Sequence, residues 1–189
     1  MRIVSGEFRG KALIAPEGQA TRPTSDRARQ AIFNILEHAP WSPGMRDLRV
    51  MDLFAGSGAL GFEALSRGAA FCLFVETDEA ARGAIRDNVE AMSLFGKTRV
   101  HRRDATDLGI KPGADGPPFD LAFLDPPYAK GLGEKALERL AAGGWLANGA
   151  TVVFERGASE PPFEVSGFDA LDTREYGAAR VHFLRFTAA

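Results

Sequence analysis

The residues best suited to chemistry form the run Asp125-Pro126-Pro127-Tyr128, which closes the apolar segment 119–124. Ligands of an open parallel sheet bind outside the carboxyl ends of its strands. A strand over 119–124 would therefore deliver Asp125 to such a crevice. Asp125 offers a carboxylate and Pro126 a carbonyl, and the two prolines fix the direction of that carbonyl at low entropic cost. Two neighbouring acceptors suit the N–H groups of an exocyclic amine on a nucleobase. Such a nitrogen is a poor nucleophile because its lone pair is delocalised into the ring. Acceptors aimed at its hydrogens localise and orient that pair. Tyr128 offers a flat face for an unstacked base. Asp125, Pro126, Pro127 and Tyr128 form the candidate catalytic set.

A second chemical segment is Asp52-Leu53-Phe54-Ala55-Gly56-Ser57-Gly58-Ala59-Leu60-Gly61. Gly56, Gly58 and Gly61 fit the G-x-G-x-x-G pattern of a strand, a tight turn and a helix start. Glu76 ends the next apolar run, placed to accept from ribose hydroxyls. By itself the pattern fits a nicotinamide dinucleotide as well as S-adenosylmethionine. Two carboxylates favour the second. Asp52 before the turn would repel a pyrophosphate and attract a sulfonium and an ammonium. Asp104, after the third strand, can accept from an adenine amino group. The candidate cofactor set is Asp52, Phe54, Ala55, Gly56, Gly58, Glu76, Thr77, Asp104 and Ala105. The single cysteine, Cys72, excludes a disulfide framework and a multi-Cys zinc site, and no metal is expected.

These segments need a frame. Apolar, strand-like runs fall at 49–54, 70–76, 119–124 and 150–155, with a weaker one at 98–102. Helical patterns lie near 58–67, 78–94 and 132–142. Alternation of this kind predicts βαβ units around a buried parallel sheet. Residues 181–186 alternate after a Tyr176-Gly177 turn, as an antiparallel strand closing the sheet would. A helix capped by Thr24 or Ser25 is expected to run to about His38. Ahead of it, glycines flanking the connection between 2–4 and 11–15 suggest a small hairpin. Two parts are expected: an N-terminal extension over 1–20, mobile and facing an anionic partner, and one domain over 21–189.

The chain has 189 residues, 23 Lys+Arg and 25 Asp+Glu, for a net charge of −2. That balance speaks against a generic nucleic-acid binder, yet its distribution is uneven. Residues 1–29 hold six basic groups against three acidic ones. A basic arm ahead of an acidic remainder suits an anionic partner on one part and a cationic cofactor on the other. No apolar run reaches the roughly 18 residues of a membrane span, and no signal peptide opens the chain. A soluble, cytoplasmic protein is expected.

The glycine segment, Glu76 and Asp125-Pro126-Pro127-Tyr128 together resemble class I S-adenosylmethionine-dependent methyltransferases. Met1-Arg2-Ile3-Val4-Ser5-Gly6 with Arg9-Gly10, Arg22-Pro23-Thr24-Ser25-Asp26-Arg27-Ala28-Arg29, and Phe33-Asn34-Ile35-Leu36 narrow the likeness. They are similar to the bacterial 16S rRNA guanine-N2 methyltransferase family, as are Glu63-Ala64-Leu65-Ser66-Arg67-Gly68-Ala69 and Tyr176-Gly177. The resemblance covers nearly the whole chain. Gln30 departs from the Glu common at that position, and Ala178-Ala179-Arg180 replaces a more polar stretch.

The resemblance implies an α/β, Rossmann-like fold. Its seven-stranded sheet would be mostly parallel with the last strand antiparallel, with helices on both faces and a small N-terminal hairpin. It implies transfer of one methyl from S-adenosylmethionine to the N2 of a guanine. Gly56 and Gly58 would pass the methionine part, with Asp52 near it. Glu76 would hold the ribose, and Asp104 with Ala105 the adenine. Asp125, Pro126 and Tyr128 would handle the guanine. Arg9, Arg22, Thr24, Arg27 and Arg29 are candidates for RNA contacts. The expected partner is 16S rRNA or a small-subunit assembly intermediate, met by a monomer. An adenine-N6 methyltransferase on DNA or RNA stays open, because the tetrapeptide does not separate the two bases. So does a non-catalytic RNA-binding module.

Overall fold

The computed structural model describes residues 1–17 and 25–189. Seven strands form one sheet: β1 Arg49–Leu53, β2 Phe71–Val75, β3 Thr98–His101, β4 Phe119–Leu124, β5 Leu146–Gly157, β6 Phe168–Tyr176 and β7 Ala179–Phe186. Their order is β3-β2-β1-β4-β5-β7-β6. The first five run parallel; β7 is antiparallel to both β5 and β6. The expected α/β sheet with its last strand reversed is the one observed. Chain order reverses between β1 and β4, and in open α/β sheets ligands bind outside the strand ends at such a switch point.

Among the described residues, four α-helices flank the sheet: α1 Asp26–His38, α2 Ala59–Ser66, α3 Glu79–Ala91 and α4 Leu132–Ala142. The first three cover one face. Phe33, Phe62 and Ile85 pack there with Val50, Phe74, Leu121 and Phe123. On the other face α4 sets Ala136, Leu137 and Leu140 among Met51, Leu73, Ala122, Leu124 and Trp145. The central strands are buried on both faces, which is why they read as continuous apolar runs. Ser25 caps α1, its hydroxyl accepting from the Ala28 N–H at 3.0 Å.

Strand β6 has no counterpart in the apolar pattern. It lies at the sheet edge, and its sequence Phe-Asp-Ala-Leu-Asp-Thr-Arg-Glu-Tyr is half-buried at most. Charged residues on an edge strand discourage pairing with another chain, and they also erase the periodicity.

The N-terminal hairpin is present but is not the mobile appendage expected. Ile3 and Lys11 pair at 3.0 Å, and Leu13 donates to Met1. Ile3 and Leu13 are buried in the same core as α1–α3. The Val4 and Ser5 N–H groups donate to the Glu63 carboxylate at 2.9 and 3.1 Å. Phe8 donates to the Ser66 hydroxyl at 2.9 Å. Ile14 exchanges hydrogen bonds with the Asn88 amide at 2.8 and 3.0 Å. A Cβ on Gly6 would sit 2.0 Å from the Ser66 carbonyl oxygen, so only glycine permits this docking.

Arg29 corrects a second expectation. It is fully buried, with Nε 3.1 Å from Glu63 Oε1 and Nη2 2.9 Å from Asp26. It also donates to the Arg2 carbonyl. Arg67 meets the other Glu63 oxygen at 2.9 Å. Two backbone N–H groups and two guanidinium groups thus fill the roughly four acceptor sites of one buried carboxylate. Arg29 clamps the hairpin to α1 and α2 and is not exposed to a phosphate.

Candidate active site

One row of residues runs across the sheet at the ends of five strands. Leu53 registers with Val75 and with Leu124, Val75 with His101, and Leu124 with Phe154. The residues past this row include Phe54–Gly58, Glu76, Asp104, Asp125 and Glu155. The sheet register therefore brings both chemical segments to one edge, on the two sides of the switch point.

After β1 the chain turns sharply, with φ of 55° at Phe54, 59° at Gly56 and 80° at Gly58. Of the three motif glycines, Gly56 alone faces open space: an added Cβ there would meet nothing within 4 Å. At Gly58 a Cβ would come 2.8 Å from Phe62 and 2.9 Å from Phe74. At Gly61 it would come 2.4 Å from Phe74 and 2.7 Å from Cys72 Sγ. Gly56 permits a ligand to approach; the other two permit α2 to lie close on β2.

The turn is bound by carboxylates. Glu76 Oε1 accepts from the Gly56 N–H at 2.7 Å, and Oε2 from Asp78 at 3.0 Å. Asp52 Oδ2 accepts from the Gly61 N–H at 3.0 Å. Two donors that a pyrophosphate would need at this helix start are already used by acids. A cationic ligand fits this lining better. Asp52 itself is almost fully buried, and burial pushes its carboxyl up to about 8, with Glu76 adding to the rise. Burial thus works against the fixed negative charge expected from sequence at Asp52.

Asp104 is exposed, and its Oδ1 accepts from the Thr106 N–H at 2.8 Å and hydroxyl at 2.7 Å. Those bonds hold its carboxyl below the usual range. Ala105 is buried beside it, and Thr77 is exposed after Glu76.

Across the switch point, Asp125 is half-buried, Pro126 buried and Pro127 exposed. The Tyr128 hydroxyl donates to Glu155 Oε2 at 3.2 Å. Behind this loop, the Glu160 carboxylate receives the N–H groups of Ala129, at 3.1 Å, and of Gly157. Arg156 pairs with Glu134 at 2.9 Å and lies 4.8 Å from the Phe163 ring centre. This network fixes the β4–α4 loop against β5.

A cavity of about 690 Å³ opens beside Tyr128. Its lining includes Ser25, Arg27 and Ala31 of the α1 side, Glu155, and Tyr176 from the β6–β7 turn. A smaller recess with Asp125, Ile32, Leu60 and Glu155 adjoins it. Glu155 and Tyr176 were not picked out as site residues from sequence. Glu155 sits inside a strand and Tyr176 at the end of an edge strand, so only tertiary register shows their place. Arg9 and Arg27 are exposed, and Arg27 reaches the cavity rim. Arg22 and Thr24 lie outside the described residues.

Comparison with known proteins agrees with this geometry. A family model described as "Conserved hypothetical protein 95" matches residues 1–185. Ribosomal RNA small subunit methyltransferase D of Escherichia coli K12 is 37% identical over 155 residues, 82% of this chain and 74% of that protein. The chain belongs to this family. A second member, from Haemophilus influenzae, is 33% identical over 162 residues, covering 85% and 81% of the two chains. Within the family, the solved structure of "Putative methyltransferase yhhF" from Escherichia coli superposes with a TM-score of 0.86. It is 34% identical and covers 100% of this chain and 99% of its own.

Proposed function

We propose that this protein transfers a methyl group from S-adenosylmethionine to the exocyclic N2 of a guanine in 16S rRNA. The observation that carries this is the juxtaposition of an open, carboxylate-lined glycine turn with Asp125-Pro126-Pro127-Tyr128 across one switch point, next to a cavity with room for a base. The names of the relatives supply the ribosomal RNA.

S-adenosylmethionine, when bound, supplies a methyl group made electrophilic by its sulfonium. The residues present suit it. Gly56 leaves room at the turn, Glu76 offers ribose hydroxyls an acceptor, and Asp104 offers one to the adenine amine. On the substrate side, Asp125 and the Pro126 carbonyl take the N2 hydrogens and aim the nitrogen lone pair. Tyr128, its hydroxyl held by Glu155, offers its ring to a base turned out of the RNA stack. Asp125 or water takes the proton that N2 releases. These contributions are positioning and electrostatics, with no covalent intermediate on the protein. Arg9 and Arg27 suit phosphate contacts, Arg27 at the cavity rim. The reading makes the protein a cytoplasmic enzyme acting as a monomer.

The test is nucleoside analysis of 16S rRNA after incubation with labelled cofactor. N2-methylguanosine is expected; N6-methyladenosine would overturn the reading. Asp125→Ala should lose at least about 100-fold in turnover, by the scale of one lost electrostatic contact. Its cofactor affinity by titration calorimetry should stay within a few-fold.

A further inference from the structure

Glu155 has so far only held Tyr128 in place. Its position in the sheet gives it more to do. It follows Phe154, which registers with Leu124 of β4, and Asp125 follows Leu124. Neighbouring strands lie about 4.8 Å apart, and residues one step past a registered pair share a face. Asp125 and Glu155 accordingly line the same recess. Glu155 also lines the large cavity beside Tyr128. The Tyr128 hydroxyl donates to Oε2, which orients the head group.

The two purines differ where these acids converge. Guanine presents N1–H beside its N2 amine, a row of donors. Adenine presents the bare N1 lone pair beside its N6 amine. Acceptors at Asp125 and Pro126 read an amine and do not separate the bases. A second carboxylate next to Asp125 attracts the N1–H of guanine and repels the N1 lone pair of adenine.

We propose that Glu155 is the specificity-determining residue of this site, accepting the N1–H of guanine while Asp125 holds the amine. The proposal rests on the guanine reading above. It makes Glu155 a substrate contact as well as a support for Tyr128.

The experiment uses the full chain and an RNA fragment spanning the methylated position, made with guanine or 2-aminopurine there. 2-Aminopurine keeps the N2 amine and lacks the N1–H. Wild type should prefer guanine by about 10- to 100-fold in kcat/KM, the scale of one well-placed base contact. Glu155→Gln presents an amide that can donate as well as accept. It should lose activity on guanine and bring the preference to within about threefold. Its melting temperature and cofactor affinity should match wild type. An undiminished preference in Glu155→Gln overturns the proposal. If that variant does not fold, Glu155→Ala, which removes the carboxylate, reads the same ratio, and an unchanged ratio there overturns it equally. Failure of the guanine reading looks different: wild type then methylates the N2 amine of neither RNA, and the proposal falls with it.

Discussion

At the scale of single residues, the most consequential group is Asp52. Its carboxyl is pushed from 3.8 to about 8 by burial. Below about pH 4 the carboxyl is protonated in folded and unfolded chains alike, and its contribution to stability is at its highest. Above that, the unfolded chain releases its proton while the fold retains it. Stability therefore falls as pH rises, by about 1.4 kcal/mol per pH unit, until the folded carboxyl titrates near 8. Asp52→Asn abolishes the titration and can still accept from Gly61. Between pH 6 and pH 8 the cofactor-free wild type should lose melting temperature faster than Asp52→Asn. Parallel melting curves would mean the folded carboxyl is already ionised. The residue type announced an acid beside the turn; its charge state depended on the burial that β1 imposes.

At the scale of elements, the glycine segment shows how far a motif can be read. The turn and the start of α2 were legible because positive φ, small residues and an adjoining apolar strand are local properties. The division of labour among the glycines was not, because Phe74 and Cys72 come from another strand. Two variants separate the roles. Gly61→Ala forces a Cβ against Phe74 and should cost about 1–3 kcal/mol in urea unfolding. Gly56→Ala meets no neighbour and should cost about 1 kcal/mol of backbone strain. It should nevertheless weaken cofactor binding more than Gly61→Ala does. If both lost affinity in proportion to stability, Gly56 would be another packing residue. The strands divide in the same way. β1, β2 and β4 announced themselves because both faces are buried, whereas β6 is an exposed edge and did not. Glu155 belongs to a strand that was legible, but its nearness to Asp125 is a product of sheet register.

At the scale of the whole molecule, the surplus of basic groups in residues 1–29 has two destinations. Arg29 is spent inside, against Glu63; Arg27 and Arg9 remain outside. Arg29→Ala removes one of the two guanidinium partners of buried Glu63 and should cost about 1–3 kcal/mol. Arg27→Ala should leave the melting temperature unchanged and reduce the salt dependence of RNA binding by close to one phosphate contact. An Arg27→Ala protein with wild-type affinity at every salt concentration would remove the rim from the RNA surface. Charge type could not separate these arginines, since burial follows from the helix face that each occupies. The docked hairpin also has a consequence in time. Ile14 bonds to Asn88, 74 residues later in the chain. At roughly 5–20 residues per second, a ribosome needs about 4–15 seconds to make that stretch. The hairpin cannot complete its docking until α3 has left the exit tunnel.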